Sequence, residues 1–113
     1  MSRYRSFTEF WPFYLREHAK PATRLLHVAG TSLVLLLALA AALTRSWWLL
    51  AAMPLAGYAF AWGSHMAVER NRPATFTYPL WSLRADFRMW RLWLTGGLRR
   101  ELAAAGVDPE APR

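Results

Sequence analysis

The sequence contains no cysteine and one lysine, Lys20. Without cysteine, disulfides, thiolate-bound zinc, iron–sulfur clusters and cysteine nucleophiles are excluded. Histidine is scarce too: His18, His27 and His65 are the whole set. Acidic residues number 7 against 14 basic ones. Any metal site must therefore draw on three imidazoles and few carboxylates. There is no phosphate-binding glycine loop, dinucleotide fingerprint, nucleophile elbow, zincin motif or internal repeat.

What is present is apolar and aromatic. The 113 residues suffice for one domain. They are 55% hydrophobic, with seven tryptophans and a net charge of +7, yet the mean hydropathy is only +0.08. The apolar residues must be concentrated, and two stretches concentrate them. Leu25 to Thr44 and Ser46 to Val68 carry no formal charge. Each is about as long as the 20 or so apolar residues that span a bilayer core, and neither shows the polar face of a soluble core helix. A signal peptide fits the first poorly, because an aromatic, charged segment precedes it.

The predicted architecture is all-α: an integral membrane helical hairpin of two transmembrane helices, about 24–44 and 47–69, turning at Thr44-Arg45-Ser46. Trp47 and Trp48 lie where an aromatic belt is expected. Pro54 predicts a kink, and Ala51, Ala52, Ala56 and Gly57 allow close helix approach. Amphipathic interfacial helices are expected before and after the hairpin. The first, about 7–19, opens at the capping-box spacing Ser6-x-x-Glu9, with Pro12 bending it or delaying its start. The second, about 82–100, sets Leu83, Phe87, Trp90, Leu94 and Leu98 on one face beside Arg84, Arg88 and Arg91, a pattern suited to anionic headgroups. Residues 1–102 form a single membrane domain, and 103–113 a loose tail. Arginine flanks both open ends of the hairpin while its loop carries Arg45 alone, so the positive-inside rule places both termini in the cytoplasm. Arginine-rich, lysine-poor usage points to a bacterial inner membrane. The same placement accounts for the charge, so no nucleic-acid partner is expected. A two-span chain buries little area, and a homodimer is compatible with its small residues.

Hairpin geometry pairs two histidines. His27 lies 17 residues before Thr44 and His65 lies 19 after Ser46, so their depths differ by only about 3 Å at 1.5 Å per residue. His18 lies across the break at Pro21 and reaches the same place if the first helix folds back. Glu69 is four residues after His65, on the same helix face. Imidazole and carboxylate ligands suit iron, manganese or zinc. The bland alternative is that these histidines only bond backbone, with Glu69 in an ion pair to Arg72 and with Arg24 and Arg72 as interfacial anchors.

The segments Tyr14-Leu-Arg-Glu-His18-x8-His27-x2-Gly30 and Gly63-Ser-His65-x3-Glu69-Arg-Asn-Arg72-Pro73-Ala74 carry a resemblance. Together with Tyr78-Pro-Leu-Trp-Ser and Asp86-Phe-Arg-Met-Trp, they resemble the short bacterial branch of a former domain-of-unknown-function family. Its studied member is a 2-hydroxy fatty acid dioxygenase named for metabolism of phytosphingosine to odd-numbered fatty acids. The similarity runs over roughly residues 7 to 97. It implies an Fe(II)-dependent enzyme that uses O2 to shorten 2-hydroxy fatty acids by one carbon at the bilayer. His18, His27 and His65 match the family's essential histidines, and Glu69 and Arg72 its His-x3-Glu-x2-Arg-Pro block. The implied roles are Glu69 as fourth ligand or orienter, and Arg24 or Arg72 as partner of the substrate carboxylate. The larger eukaryotic form has further membrane helices and another histidine between the two blocks, which this chain lacks. The alternatives are a non-catalytic lipid-binding scaffold and a zinc hydrolase built on the same ligands.

Overall fold

The computed structural model describes residues 4–108. The chain is all-helical, with no strand among the described residues. Helix α1 spans Phe7–Arg16, α2 Pro21–Thr44, α3 Trp48–Ser64, α4 Pro79–Thr95 and α5 Leu98–Ala104. A π-helical turn, His65–Glu69, continues α3, and a 3-10 turn, Ala74–Phe76, precedes α4.

Each boundary has a local cause. Ser6 caps α1, its Oγ accepting from the Glu9 N–H at 3.2 Å, while Glu9 Oε1 reaches back to the Arg5 N–H at 3.1 Å. That cap fixes the start at Phe7, so Pro12 neither delays the helix nor ends it but sits inside it. Pro21 opens α2 at its first turn, where a missing N–H costs nothing. Arg45 closes α2 in the left-handed conformation, with φ 57°. Gly96, with φ 87°, does the same for α4. The single helix expected over 82–100 is therefore two, broken at Gly96-Gly97, because only glycine enters that conformation without strain.

α2 and α3 run antiparallel and in close contact. A Cβ on Gly30 would lie 2.7 Å from Phe60 Cβ, and one on Gly57 would lie 3.0 Å from Val34 Cγ2. Glycine at position 30 is thus a packing requirement. The hairpin's outer face is apolar: Leu25, Leu36, Leu39, Leu43, Trp48 and Leu55 are all exposed. By length and composition α2, with 24 residues and an 18-residue stretch of mean hydropathy 2.2, is the one described helix able to cross a bilayer. The second span expected over 47–69 divides instead into the 17-residue α3 and the π turn.

The remaining helices make a second body at the open end of the hairpin. Phe7, Phe10, Trp11, Tyr14 and Leu15 of α1 pack with Ala85 and Met89 of α4 and with Leu98 and Leu102 of α5. Burying five such side chains is worth on the order of 10 kcal/mol before chain entropy is counted. The aromatic face that suggested an interfacial helix is therefore covered by protein. On α4 the buried side is Ser82, Ala85 and Met89, whereas Leu83, Phe87 and Leu94 stay exposed. The arginines of α4 are partly spent on α1: Arg84 lies 4.1 Å over the Phe7 ring and Arg88 4.5 Å over the Trp11 ring. Trp90 Nε1 donates to Ser32 Oγ at 3.0 Å, fastening α4 to α2. Val107 is buried in the same core, so the chain stays packed past residue 103. The rest of the expected tail, from residue 109 on, lies outside the described residues.

Candidate metal centre

Where the two bodies meet, three helical segments each contribute one imidazole. His18 follows α1, His27 lies in the second turn of α2, and His65 begins the π turn. All three are buried, at 1%, 4% and 2% exposure. Their Nε2 atoms face inward: His18 to His27 is 3.1 Å and His18 to His65 is 3.0 Å.

The tautomers follow from the other ring nitrogens. His18 Nδ1 meets the Tyr14 carbonyl at 2.6 Å. His27 Nδ1 meets the Thr23 carbonyl at 3.0 Å and Ser64 Oγ at 3.0 Å. Ser64 spends its own proton on the Ala61 carbonyl at 2.8 Å, so it accepts from His27. His65 Nδ1 meets Asn71 Oδ1 at 2.7 Å. Asn71 is oriented by donating its Nδ2 protons to the Glu17 carbonyl at 3.1 Å and to Glu17 Oε1 at 3.2 Å. A carbonyl only accepts, so every Nδ1 is the protonated nitrogen and every Nε2 carries a lone pair. Three lone pairs aimed at one point repel each other unless a cation lies between them. This donor set fits a divalent transition metal, with each ligand oriented through its second nitrogen. Taken one ligand atom per residue, the three histidines lie within 4.8 Å of one another, and no further histidine or carboxylate joins the group among the described residues. Burial, with His27 and His65 alongside, holds His18 well below the usual imidazole range, so it is neutral at pH 7.

The other expected site residues surround this centre in different ways. Glu69 accepts the Lys20 backbone N–H through Oε2, and Lys20 Nζ donates to the Val68 carbonyl at 2.9 Å. The π turn is thereby tied to the start of α2, which holds His65 beside His27. Arg24 is buried and donates to the carbonyls of His18 at 2.8 Å and Ala19 at 2.9 Å, bracing the turn that carries His18. Arg72 is exposed, its guanidinium 5.3 Å from the Phe76 ring centroid.

Sequence reasoning missed four supports. Asn71 and Ser64 orient histidines. Tyr14 stacks on His18 with ring centroids 4.0 Å apart, and its hydroxyl donates to Asp86 Oδ1. Burial raises the Asp86 carboxyl to about 7, against the opposing pull of that hydrogen bond. Tyr14 is raised as well, by burial first and then by Asp86. Asn71 carried one usable signal: it stands in the Asn-Arg-Pro break, where the chain must leave the helix and can turn back on His65.

This all-helical chain thus carries a buried, tautomer-matched triad of imidazoles that could hold a metal ion. The chain matches the family described as 2-hydroxy-palmitic acid dioxygenase Mpo1-like over residues 4–98, and it belongs to that family. No curated protein and no solved structure shows a significant match.

Proposed function

We propose that the protein is an Fe(II)-dependent dioxygenase that shortens 2-hydroxy fatty acids by one carbon at a membrane surface. The observation that carries this reading is the convergence of three unprotonated Nε2 atoms in a buried site, in a family described by that activity. His18, His27 and His65 hold the metal. Bound there, iron supplies the redox chemistry that O2 needs to react at the carbon bearing the hydroxyl. Three nitrogen donors leave part of a coordination sphere for the substrate's hydroxyl and carboxylate.

The chain's own residues position and shield. Burial of all three imidazoles keeps bulk water out. Arg24 braces the His18 turn, so Arg72 is the better partner for the substrate carboxylate, a charge-assisted contact. Glu69 acts at one remove, orienting the π turn. The exposed apolar surface of the hairpin supports a bilayer location, with α2 as a span and the arginine-rich ends on the cytoplasmic side of a bacterial inner membrane. A homodimer through the hairpin's small residues accords with its size.

The test is incubation of the detergent-purified protein with a 2-hydroxy fatty acid, Fe(II) and O2, followed by mass spectrometry of the product acid. Formation of the acid one carbon shorter, abolished anaerobically, is expected. Turnover that persists without O2 indicates a hydrolase. No turnover with any metal leaves a lipid-binding scaffold.

A further inference from the structure

α4 packs on α2 rather than on α3, and the space left between α3 and α4 is a cavity of about 300 Å³. Its polar groups are few. His27, one of the metal-holding residues, and Asp86, fixed by the Tyr14 hydroxyl, belong to its wall. Val34, Met53, Ala61, Leu83 and Phe87 supply most of the rest. From His27 past Thr31 to Val34 is seven residues of α2, so the cavity extends about 10 Å along the helix from the metal centre. Pro54, Leu83 and Phe87 are exposed, so its outer rim is itself apolar.

We propose that this cavity seats the acyl chain of the substrate, with Thr31 beside the carbons nearest the reacting head and Val34 beside those further along. The inference rests on the dioxygenase reading for the identity of the head group, but the seat follows from the cavity. Three observations select a single extended alkyl chain as the occupant. The cavity is continuous with a metal ligand, its walls are apolar, and it is elongated along α2. It receives a polar chain poorly, because beyond Thr31 the lining side chains of α2 and α3 offer one polar group, the Tyr58 hydroxyl. Val34 and the facing Gly57, which it touches closely, therefore determine how a chain is received at the far end.

The absence of native cysteine makes a direct test available. Thr31→Cys and Val34→Cys report on the two ends, and Leu80→Cys, exposed on α4 and outside the span, is the control. Each full-length variant, loaded with Fe(II) in lipid nanodiscs without O2, is labelled with a small maleimide in the presence of 2-hydroxy acids of graded length. With a long acid at about ten times its dissociation constant, labelling should slow about tenfold at Thr31→Cys and Val34→Cys and be unchanged at Leu80→Cys. A short acid should protect Thr31→Cys alone. Equal protection at all three positions, or none at either cavity position, overturns the proposal. Labelling that is already slow without acid and indifferent to its length overturns it too, since a bilayer lipid is then the occupant. Graded protection without turnover keeps the seat and removes the dioxygenase reading; turnover without protection does the reverse.

Discussion

His18 and His65 point their Nε2 atoms at each other across 3.0 Å, and neither has a proton to give. Each has committed its proton on the opposite side of the ring, His18 to the Tyr14 carbonyl and His65 to Asn71 Oδ1. A hydrogen bond between them would require one ring to abandon that acceptor. The arrangement is repulsive without a cation and favourable with one. A metal ion held between these nitrogens would couple its binding to folding.

That coupling makes Asn71 a sensitive position. Asn71→Ala removes the acceptor that fixes the His65 tautomer and the donor that anchors it to Glu17. Metal affinity should fall about 10- to 100-fold, the usual cost of losing a partner that orients a ligand. Competition with a chelator measures it. His65→Ala should bind no stoichiometric metal at all, and an Asn71→Ala variant that binds metal as tightly as the parent would mean that Asn71 plays no orienting part.

Glu69 separates two roles by its conservative variant. As the acceptor of the Lys20 N–H it is replaceable by the glutamine carbonyl, so Glu69→Gln should retain metal affinity within a few-fold. Glu69→Ala should lose about 1 kcal/mol of stability with the hydrogen bond. Were the carboxylate a ligand, Gln and Ala would weaken metal binding alike. Isothermal titration of both variants decides the matter.

Two buried groups give the metal-free protein pH dependences of opposite sign. His18 has its imidazole pushed down, so the unfolded chain binds the extra proton. Its contribution is complete above pH 6.5 and is lost as pH falls. Asp86 has its carboxyl raised from 3.8 to about 7, so here the folded state holds the proton. Its contribution is complete below pH 3.8 and lost as pH rises through about 7. Denaturation in detergent should show a stability maximum in the mildly acidic range. Asp86→Asn, which stays neutral, should remove the alkaline decline and leave the acid one. Parallel curves for the two proteins would refute the assignment.

Much of this centre was legible in the sequence because helices obey simple periodicity. A hairpin turning at Arg45 places positions 27 and 65 at one level, and a break at Pro21 lets position 18 join them. What periodicity could not show was the partner of each amphipathic face. Phe7, Phe10 and Trp11 look the same whether they meet lipid or Met89 and Leu102. The π turn was hidden for a similar reason: nothing local in Ser64 to Glu69 marks a wider turn, and the contacts that tie it, from Lys20 to Val68 and Glu69, come from the start of α2. Asn71 and Asp86 act through contacts 54 and 72 residues away in sequence, and no local pattern encodes such distances.

Gly30 tests whether hairpin packing sets the geometry of the metal centre. Its missing side chain lets Phe60 approach until an added Cβ would stand 2.7 Å from Phe60 Cβ, closer than the atoms can coexist. Phe60 Cβ is fixed to the α3 backbone and has no rotamer that relieves the clash, so Gly30→Ala must push the helices apart. Overpacking of this kind costs about 1–3 kcal/mol. The displacement falls one turn from His27 and one turn from Ser64, the residue that accepts from the His27 ring. Gly30→Ala should therefore lower the melting temperature and weaken metal binding together. A Phe60→Gly change in the same chain removes the clashing Cβ and should restore metal affinity more than stability, because it leaves a cavity and a glycine inside α3. Metal titrations and thermal melts of the two single variants and the double variant form the cycle that measures the coupling. If the single Gly30→Ala variant melts lower but binds metal as tightly as the parent, the centre is held by the turns at its own ends, around Lys20 and Asn71, and not by the hairpin.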